Sequence, residues 1–282
     1  MNGIISVLLL AAGTWLSALV GAAAVAFVKK GSGMATDLVL GFAAGVILMV
    51  SFVELLHPAI HMSERYLSLP AWVVVPGAFA LGFLATFFLD LHIGRLKTKM
   101  EAAGKIGLYK QGLMLFGAFS MHNIPEGLAL GILLGALGRH FDMGELWALV
   151  PLVIAIALHK FPEGAAIAVA FQREGMSKIK SFLVGQGSGF LGFLAGIAGF
   201  AIAVGINAIL PYAMAFAGGA MVWVAVHELI PESKRNKDKK PYLATIGICL
   251  GVLLMLIVDT TLHDHHHGHG HVCHYTHHCP EC

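Results

Sequence analysis

Long apolar runs alternate with short polar or charged breaks along almost the whole chain of 282 residues. A helix needs about 20 apolar residues to cross the hydrocarbon core of a bilayer, and eight runs reach that length. Runs such as 4–28 are apolar all round rather than alternating, which favours helices over the strands of a β-barrel. The pattern predicts an all-α integral membrane protein with one domain, residues 1–262, and a short tail, residues 263–282. The eight transmembrane spans are predicted at about 3–28, 35–57, 71–91, 111–138, 146–171, 181–205, 212–231 and 241–262.

The composition agrees with a membrane protein and excludes two other classes. Hydrophobic residues make up 57% of the chain and charged residues 12%, whereas a soluble domain carries about 25% charged residues. The formal net charge is only +2, and the basic residues are scattered, so the chain lacks the basic patch of a nucleic-acid-binding protein. We therefore expect neither a soluble enzyme nor a nucleic-acid partner.

Basic residues are distributed unequally between the two sides of the predicted membrane. Fifteen of the 18 lysines and arginines fall in the loops after spans 1, 3, 5 and 7, and two fall on the opposite side. Cytoplasmic loops carry the excess of positive charge in membrane proteins, so we predict a multi-pass protein of the cell membrane with both termini outside the cytoplasm. The first run is not predicted to be a cleavable signal, because its positive charges, Lys29 and Lys30, follow it.

The fourth and fifth spans carry the same polar motif near their middle. In each copy a histidine and a glutamate stand four residues apart, which places them on one face of a helix. A proline between them has no backbone N–H, so the carbonyl four residues before it lacks its helical hydrogen bond. Ionisable residues inside a membrane are costly and usually functional. The copies are His122-Asn123-Ile124-Pro125-Glu126-Gly127 and His159-Lys160-Phe161-Pro162-Glu163-Gly164.

Consecutive spans run antiparallel, so two equal motifs at equal depth predict a local pseudo-two-fold axis in the membrane plane. Transporters bind their substrates at the midplane of such inverted repeats. Two imidazoles and two carboxylates form a mixed ligand set that suits Zn²⁺, Fe²⁺, Mn²⁺ or a similar ion, and two carboxylates balance one dication. The alternative is that each pair only hydrogen-bonds within its own helix, but the repetition favours a metal site between spans 4 and 5.

The doubled motif resembles the signature of the ZIP (Zrt/Irt-like protein) metal transporter family, and the resemblance covers about residues 1–262. It implies an inverted-repeat bundle of eight helices with both termini outside, and a primary metal site made of His122, Glu126, His159 and Glu163. It also implies a homodimer that works as an alternating-access carrier, often described as an elevator. The metal is then the transported substrate, and no cofactor is expected.

In some bacterial relatives the motif residues resemble the ligands of a two-metal centre. Two residues of this chain depart from that pattern. In those relatives the second metal also uses the polar residue after each motif histidine and a glutamate on helix 6. Asn123 matches this pattern, but Lys160 stands where Asp or Asn is expected and Gly192 stands where Glu is expected. We therefore predict one metal in the core site, with the Lys160 ammonium supplying the missing positive charge. The alternative is that Lys160 snorkels towards the membrane surface.

Spans 2 and 7 each end with a histidine and a carboxylate before a proline. Glu54 and His57 lie at the predicted outer face, and His227 and Glu228 lie at the predicted inner face. One interpretation is polar capping at the interface, where such residues are tolerated. The other is a relay of weak ligands that takes metal in at the first pair and releases it at the second, which resembles the family's exit site. Asp90, near the end of span 3, is predicted to need no special role.

The tail, residues 263–282, contains nine of the 16 histidines and three of the four cysteines. Such a tract cannot pack a core and has a metal-binding composition, so we predict an extracytoplasmic metal collector. An expression tag and a disulfide-bonded segment are the alternatives. The remaining cysteine, Cys249, lies in span 8 and is predicted to be a small buried hydrophobic residue.

The predicted function is the import of a divalent metal ion. Two imidazoles favour Zn²⁺, while Fe²⁺, Mn²⁺, Co²⁺ and Cd²⁺ remain open. An intramembrane metal-dependent hydrolase is the first alternative, but it needs an open metal position and a separate base, and the duplicated motif offers four ligands instead. A metal exporter, a sensor or a channel would use the same ligands, so only the resemblance favours an importing carrier.

Overall fold

The computed structural model describes residues 3–27, 33–102, 110–137, 143–201, 208–235 and 242–264. Within these ranges the regular structure is helical and contains no strand, which confirms the all-α prediction. A short 3₁₀ turn, Ala24–Ala26, follows the first helix. The α-helices are α1 (Gly3–Ala23), α2 (Gly33–Val50), α3 (His57–Tyr66), α4 (Ala71–Ala102), α5 (Lys110–Leu137), α6 (Met143–Arg173), α7 (Lys178–Gly185), α8 (Gly187–Ala201), α9 (Leu210–Trp223), α10 (Ile230–Ser233) and α11 (Tyr242–Asp264).

Five helical segments in the described ranges are long and apolar enough to cross a bilayer. Large apolar side chains on these segments, such as Leu81, Phe88 and Leu253, are exposed on the outside of the bundle. Lipid tails are as apolar as leucine, so this surface fits a bilayer and the chain is a multi-pass membrane protein. The segments are Thr36–Tyr66, Ala71–Arg95, Lys178–Ala201, Leu210–Ser233 and Tyr242–Thr261.

Two of these segments contain one turn of π-helix shortly before a proline. The turn Ser51–Leu56 joins α2 to α3, and the turn Val224–Leu229 joins α9 to α10. The first is followed by Pro58 and the second by Pro231. Single π-helical turns of this kind occur frequently at functional sites. The prolines of the repeated motif have no such effect, because α5 and α6 continue through both of them as α-helix.

The helices pack in pairs whose backbones touch at glycines. The described pairs are α1 with α6, α2 with α11, α4 with α9, and α5 with α8. A Cβ atom added to Gly219 of α9 would lie 2.0 Å from the Phe79 carbonyl oxygen of α4, and one added to Gly45 of α2 would lie 2.1 Å from the Ile248 carbonyl oxygen of α11. Helices in lipid associate by such close packing of small residues, because the hydrophobic effect does not drive them together there.

A core of buried apolar side chains joins these pairs to one another. It includes Leu40 and Ile47 of α2, Phe119 of α5, Ile167 of α6 and Met221 of α9. The α5–α8 and α1–α6 pairs therefore meet the α2–α11 and α4–α9 pairs mainly through apolar side chains. The site described below lies on the α5 and α6 side of this core.

Three details differ from the sequence-based prediction. The fourth helix continues to Ala102, past the predicted span end at 91, and predicted span 6 is divided at Gln186 into α7 and α8. The prediction that Cys249 is buried is wrong, because this residue is exposed on α11. Gly247 and Gly251 turn one face of α11 towards α2, and two residues along a helix lead to the opposite face. The tail beyond Asp264 lies outside the described residues.

Candidate metal centre

The glycine that ends each copy of the motif determines how closely its helix approaches a neighbour. A Cβ atom added to Gly127 would lie 2.1 Å from the Gly192 carbonyl oxygen on α8, and one added to Gly164 would lie 2.1 Å from the Ala18 carbonyl oxygen on α1. Any side chain at either position would collide with backbone. Because a glutamate directly precedes each glycine, the close packing also holds the two motif carboxylates at a defined place in the bundle.

Lys160 lies at the centre of a polar cluster between α5 and α6. Its Nζ donates hydrogen bonds to Oδ1 of Asn123 and Oε2 of Glu126, and it lies 3.3 Å from Oε2 of Glu163. The His159 Nε2 atom lies 2.9 Å from Oε1 of Glu126. The structure thus brings together five of the residues that the sequence analysis proposed for the core site, and they come from both copies of the motif.

These polar groups are withdrawn from the surface. Asn123, His159 and Glu163 are each 1% exposed and Lys160 is 5% exposed, so the ammonium points into the cluster rather than snorkelling to the membrane surface. Buried charges are tolerated when they are paired and hydrogen-bonded, and here one ammonium faces two carboxylates. With a neutral imidazole and both carboxylates ionised, the cluster carries one net negative charge.

The first motif histidine, His122, is part of α5 and precedes Glu126 by one helical turn. Its side chain lies outside the described residues. Three of the four predicted primary ligands therefore have a described position, and the role of His122 stays a prediction.

A cavity lies beside the cluster. Its lining includes the polar residues Asn123, Glu126 and Lys160 and glycines of α8, among them Gly192. A Cβ atom added to Gly192 would lie 3.2 Å from the Asn123 carbonyl oxygen. Position 192, where the resemblance predicts a glutamate, therefore faces the site, and the glycine leaves room in front of the Lys160 ammonium.

A second group of metal-ligand side chains lies at the π-helical turn Val224–Leu229. Ligand atoms of Asp90, His227 and Glu228 all lie within 4.8 Å of one another. The His227 Nε2 atom is 3.3 Å from Asp90 Oδ2, and the His227 ring stacks on Trp223 with 4.5 Å between centroids. The sequence analysis gave Asp90 no role, although a carboxylate inside the apolar run 71–91 is the signal that could have drawn attention to it.

The other π-helical turn contains Glu54 and is followed directly by His57. Glu54 is half-buried, and His57 is exposed at the start of α3. The predicted outer pair therefore borders one π-helical turn, while the predicted inner pair, His227 and Glu228, lies in the other.

Arg173, at the end of α6, forms a further ionic cluster that the sequence analysis did not single out. Its Nη2 atom lies 2.7 Å from Asp37 Oδ1 on α2, and its Nη1 atom lies 2.8 Å from Glu232 Oε1 on α10. The same Nη1 also donates to the Glu232 carbonyl oxygen. This cluster links α6 to α2 and α10, neither of which is its packing partner.

Known proteins resemble this chain over most of its length. Residues 105–259, which include all of α5 and α6, match the family model described as ZIP Zinc transporter. The chain is 30% identical to zinc transporter ZIP11 of Xenopus tropicalis over 88% of this chain and 95% of the relative. It is 33% identical to zinc transporter ZIPB of Bordetella bronchiseptica over 80% and 71% of the two chains. Zinc transporter ZupT of Corynebacterium aurimucosum is 29% identical over 77% and 82%.

Proposed function

The chain belongs to the ZIP zinc transporter family, and we propose that it carries Zn²⁺ into the cytoplasm through the cluster between α5 and α6. Family membership makes the protein a transporter of divalent metal rather than an enzyme. The observation that supports the proposed site is the convergence of Glu126, His159 and Glu163 from two copies of one motif in a buried cluster. Imidazole nitrogen and carboxylate oxygen form a ligand set that suits Zn²⁺.

Lys160 has a specific part in this proposal. A dication that binds Glu126 and Glu163 must displace the ammonium from at least one of them, and the flexible lysine stem allows that movement. The core then carries one net negative charge when empty and one net positive charge when loaded. The net charge of the core thus never exceeds one unit in a medium of low dielectric constant. This charge balance supports a centre for one metal rather than two.

The packing supports a carrier built from two groups of helices. The site group comprises α1, α5, α6, α7 and α8, and the frame group comprises α2, α3, α4, α9, α10 and α11. Among the described residues, every contact of a glycine with a backbone carbonyl lies within one of these groups. Apart from the Arg173 cluster, the groups meet mainly through apolar side chains, which can slide more readily than interlocked backbones. We infer that the site group moves against the frame group with the metal bound.

The two π-helical turns mark the proposed ends of this path. Both belong to the frame group, so they would stay in place while the site group moves. Glu54 and His57 would receive the metal at one turn, and His227, Glu228 and Asp90 would accept it at the other. Several weak ligand sets in series suit transport, because each site must also release its ion.

The pairing also supports an inverted repeat that extends beyond α5 and α6. Exchanging α1 with α8, α2 with α9, α4 with α11 and α5 with α6 converts each described helix pair into another of the four pairs. The same exchange matches the two π-helical turns, each of six residues and each with a proline two residues after its last residue. Eight crossings with both termini outside and assembly as a homodimer complete the proposal, the orientation on the basis of the charge asymmetry.

The test is uptake of radiolabelled zinc into proteoliposomes, with competing metals at several pH values. We expect saturable uptake that Glu163→Gln reduces to background. The matched control is Glu174→Gln, one residue beyond the end of α6 and outside the cluster, where the amide oxygen can still accept the hydrogen bond from the Gly112 backbone N–H. Rapid uptake by a well-folded Glu163→Gln protein would refute the site, and net loss of metal from cells that express the chain would refute import.

A further inference from the structure

The short helix α3 exposes two histidines one turn apart. His57 and His61 lie on its exposed face, whereas Ala59 and Ser63 are buried on the opposite face. Ala59 packs in a small apolar cluster with Ala78 of α4 and Ala215 of α9. The buried face holds α3 against the bundle. The two imidazoles therefore do not pack in the core and extend from a helix that is held in place.

The two rings are already spaced as a pair of metal ligands. Their Nε2 atoms lie 3.3 Å apart, and the ring planes are nearly perpendicular with 4.7 Å between centroids. Two nitrogens bound tetrahedrally to one Zn²⁺, each at about 2.0–2.1 Å, lie about 3.4 Å apart. Histidines at i and i+4 on a helix are the pair that binds zinc in helical metal sites.

Carboxylates flank the pair along the chain. Glu64 is exposed three residues after His61, and Glu54 precedes His57 by three residues in the π-helical turn. Residues three apart on a helix are neighbours, so a change of the exposed Glu64 side-chain rotamer can bring a carboxylate oxygen towards the pair. The pair lies close to the proposed outer carboxylate Glu54, where a captured ion would begin its path.

We propose that His57 and His61 form a two-imidazole site that captures divalent cations of the zinc, copper and nickel class at the outer end of the bundle. Imidazole binds these ions better than Mn²⁺, which favours oxygen ligands. The position at the outer end rests on the proposed transport function and orientation, while metal binding by the pair does not depend on transport. The competing explanation of the short distance is an N–H···N hydrogen bond between the two rings.

Residue-specific modification of the full-length protein tests this site. Diethyl pyrocarbonate modifies imidazoles, and mass spectrometry measures the modified fraction at each histidine while buffered free Zn²⁺ is raised. Metal buffering keeps the tail from depleting the ion. We expect Zn²⁺ to protect His57 and His61 with one common midpoint. His92 is the internal control, since it is exposed on α4 and has Phe88 and Leu96 at the i±4 positions, and it should need about tenfold more metal or remain unprotected.

Substitution of one partner separates a chelate from a hydrogen bond. We expect His61→Ala to raise the Zn²⁺ midpoint for His57 about tenfold or more, since one of two ligands is lost, and His92→Ala to leave it unchanged. Unaltered reactivity of His92 in the His61→Ala protein shows that it is folded. An unchanged His57 midpoint in His61→Ala, or protection of both residues by Mn²⁺ at the same concentrations, would overturn the proposal.

Two further variants test the capture site and the proposed transport function separately. Glu163→Gln should abolish transport and leave the protection of His57 and His61 intact. The double variant His57→Ala with His61→Ala should raise the half-saturating zinc concentration of uptake several-fold. In the parent protein, absence of protection together with zinc uptake would refute the capture site alone. Protection without zinc uptake in the parent protein would refute the proposed function alone.

Discussion

Two basic residues on the same helix, Lys160 and Arg173, neutralise carboxylates in different ways. The partners of Lys160 are Asn123, Glu126 and Glu163, all on α5 and α6 within the site group. The carboxylate partners of Arg173 are Asp37 of α2 and Glu232 of α10, both in the frame group. Lys160 can therefore travel with its partners if the two groups slide, whereas the contacts of Arg173 can exist in only one of the two positions.

The chemistry of the two side chains suits these two places. Lysine ends in a single ammonium on a flexible stem, so it can turn from one carboxylate to another when a metal ion arrives. Arginine presents a planar fork of fixed geometry, and here Nη1 and Nη2 each hold a carboxylate of a different frame-group helix. We infer that the mobile charge tunes the proposed transport site and that the rigid charge holds one arrangement of the two groups.

The largest expected effect comes from removing a carboxylate beside Lys160. Glu126 contacts both Lys160 and His159, so Glu126→Ala removes a proposed ligand and leaves the ammonium with one carboxylate fewer. We expect zinc uptake to fall to background while the protein still reaches the membrane. Glu232→Ala removes a carboxylate beside Arg173 instead and should retain measurable uptake. Equal loss in both variants would mean that the two clusters do not differ in function.

The next effect concerns metal stoichiometry at the site of the mobile charge. Lys160→Asp combined with Gly192→Glu places at both positions the ligand side chains that the two-metal pattern described above would have there. The new side chain at 192 must fit against Asn123, whose carbonyl oxygen would lie 3.2 Å from the added Cβ. We expect the purified variant to bind one more metal ion per chain than the parent protein. Both proteins carry the tail, so the difference in metal content reports the core. Equal metal content in the variant and the parent protein would show that Lys160 is not a substitute for a second ion.

A smaller effect is expected where the rigid charge is removed. Arg173→Met leaves Asp37 without its guanidinium partner and leaves Glu232 with only the exposed Arg235, whose Nη1 lies 3.1 Å from Glu232 Oε1. We expect the free energy of unfolding to fall by about 2 kcal/mol. Thermal unfolding in detergent measures this loss. Lys180→Met, an exposed lysine on α7, is the matched control and should change little. Adding Asp37→Asn and Glu232→Gln to Arg173→Met should restore part of the stability, because the uncompensated charges are then gone.

The smallest expected effect is a change in selectivity. His159 is the imidazole that contacts Glu126, and imidazole is a better ligand for Zn²⁺ than for Mn²⁺. We expect His159→Ala to raise the half-saturating concentration about tenfold for Zn²⁺ and less for Mn²⁺. Competition uptake assays with both ions provide the measurement. Equal increases for the two ions would assign His159 a structural role.

Much of the site could be predicted from the sequence because its signals are local. The high cost of ionisable residues in lipid drew attention to Glu126, His159, Lys160 and Glu163 without knowledge of their neighbours. The i, i+4 spacing and the repetition of the motif then predicted that the side chains meet between two helices. The departures at Lys160 and Gly192 were also visible, since they are single residues in a recognisable pattern.

The sequence by itself determined the helical membrane architecture and predicted the residues of the candidate core site, because hydrophobic run length and residue spacing act within one helix. Only the tertiary structure decided which helices are neighbours, and hence that Asp90 meets His227 and that Arg173 meets Asp37 and Glu232. The chain contains 34 glycines, and nothing local shows which of them face a carbonyl of which helix. Within a membrane, the close packing of backbones at these glycines selects which helices pair. Contacts between distant segments of the chain therefore depend on the assembled bundle.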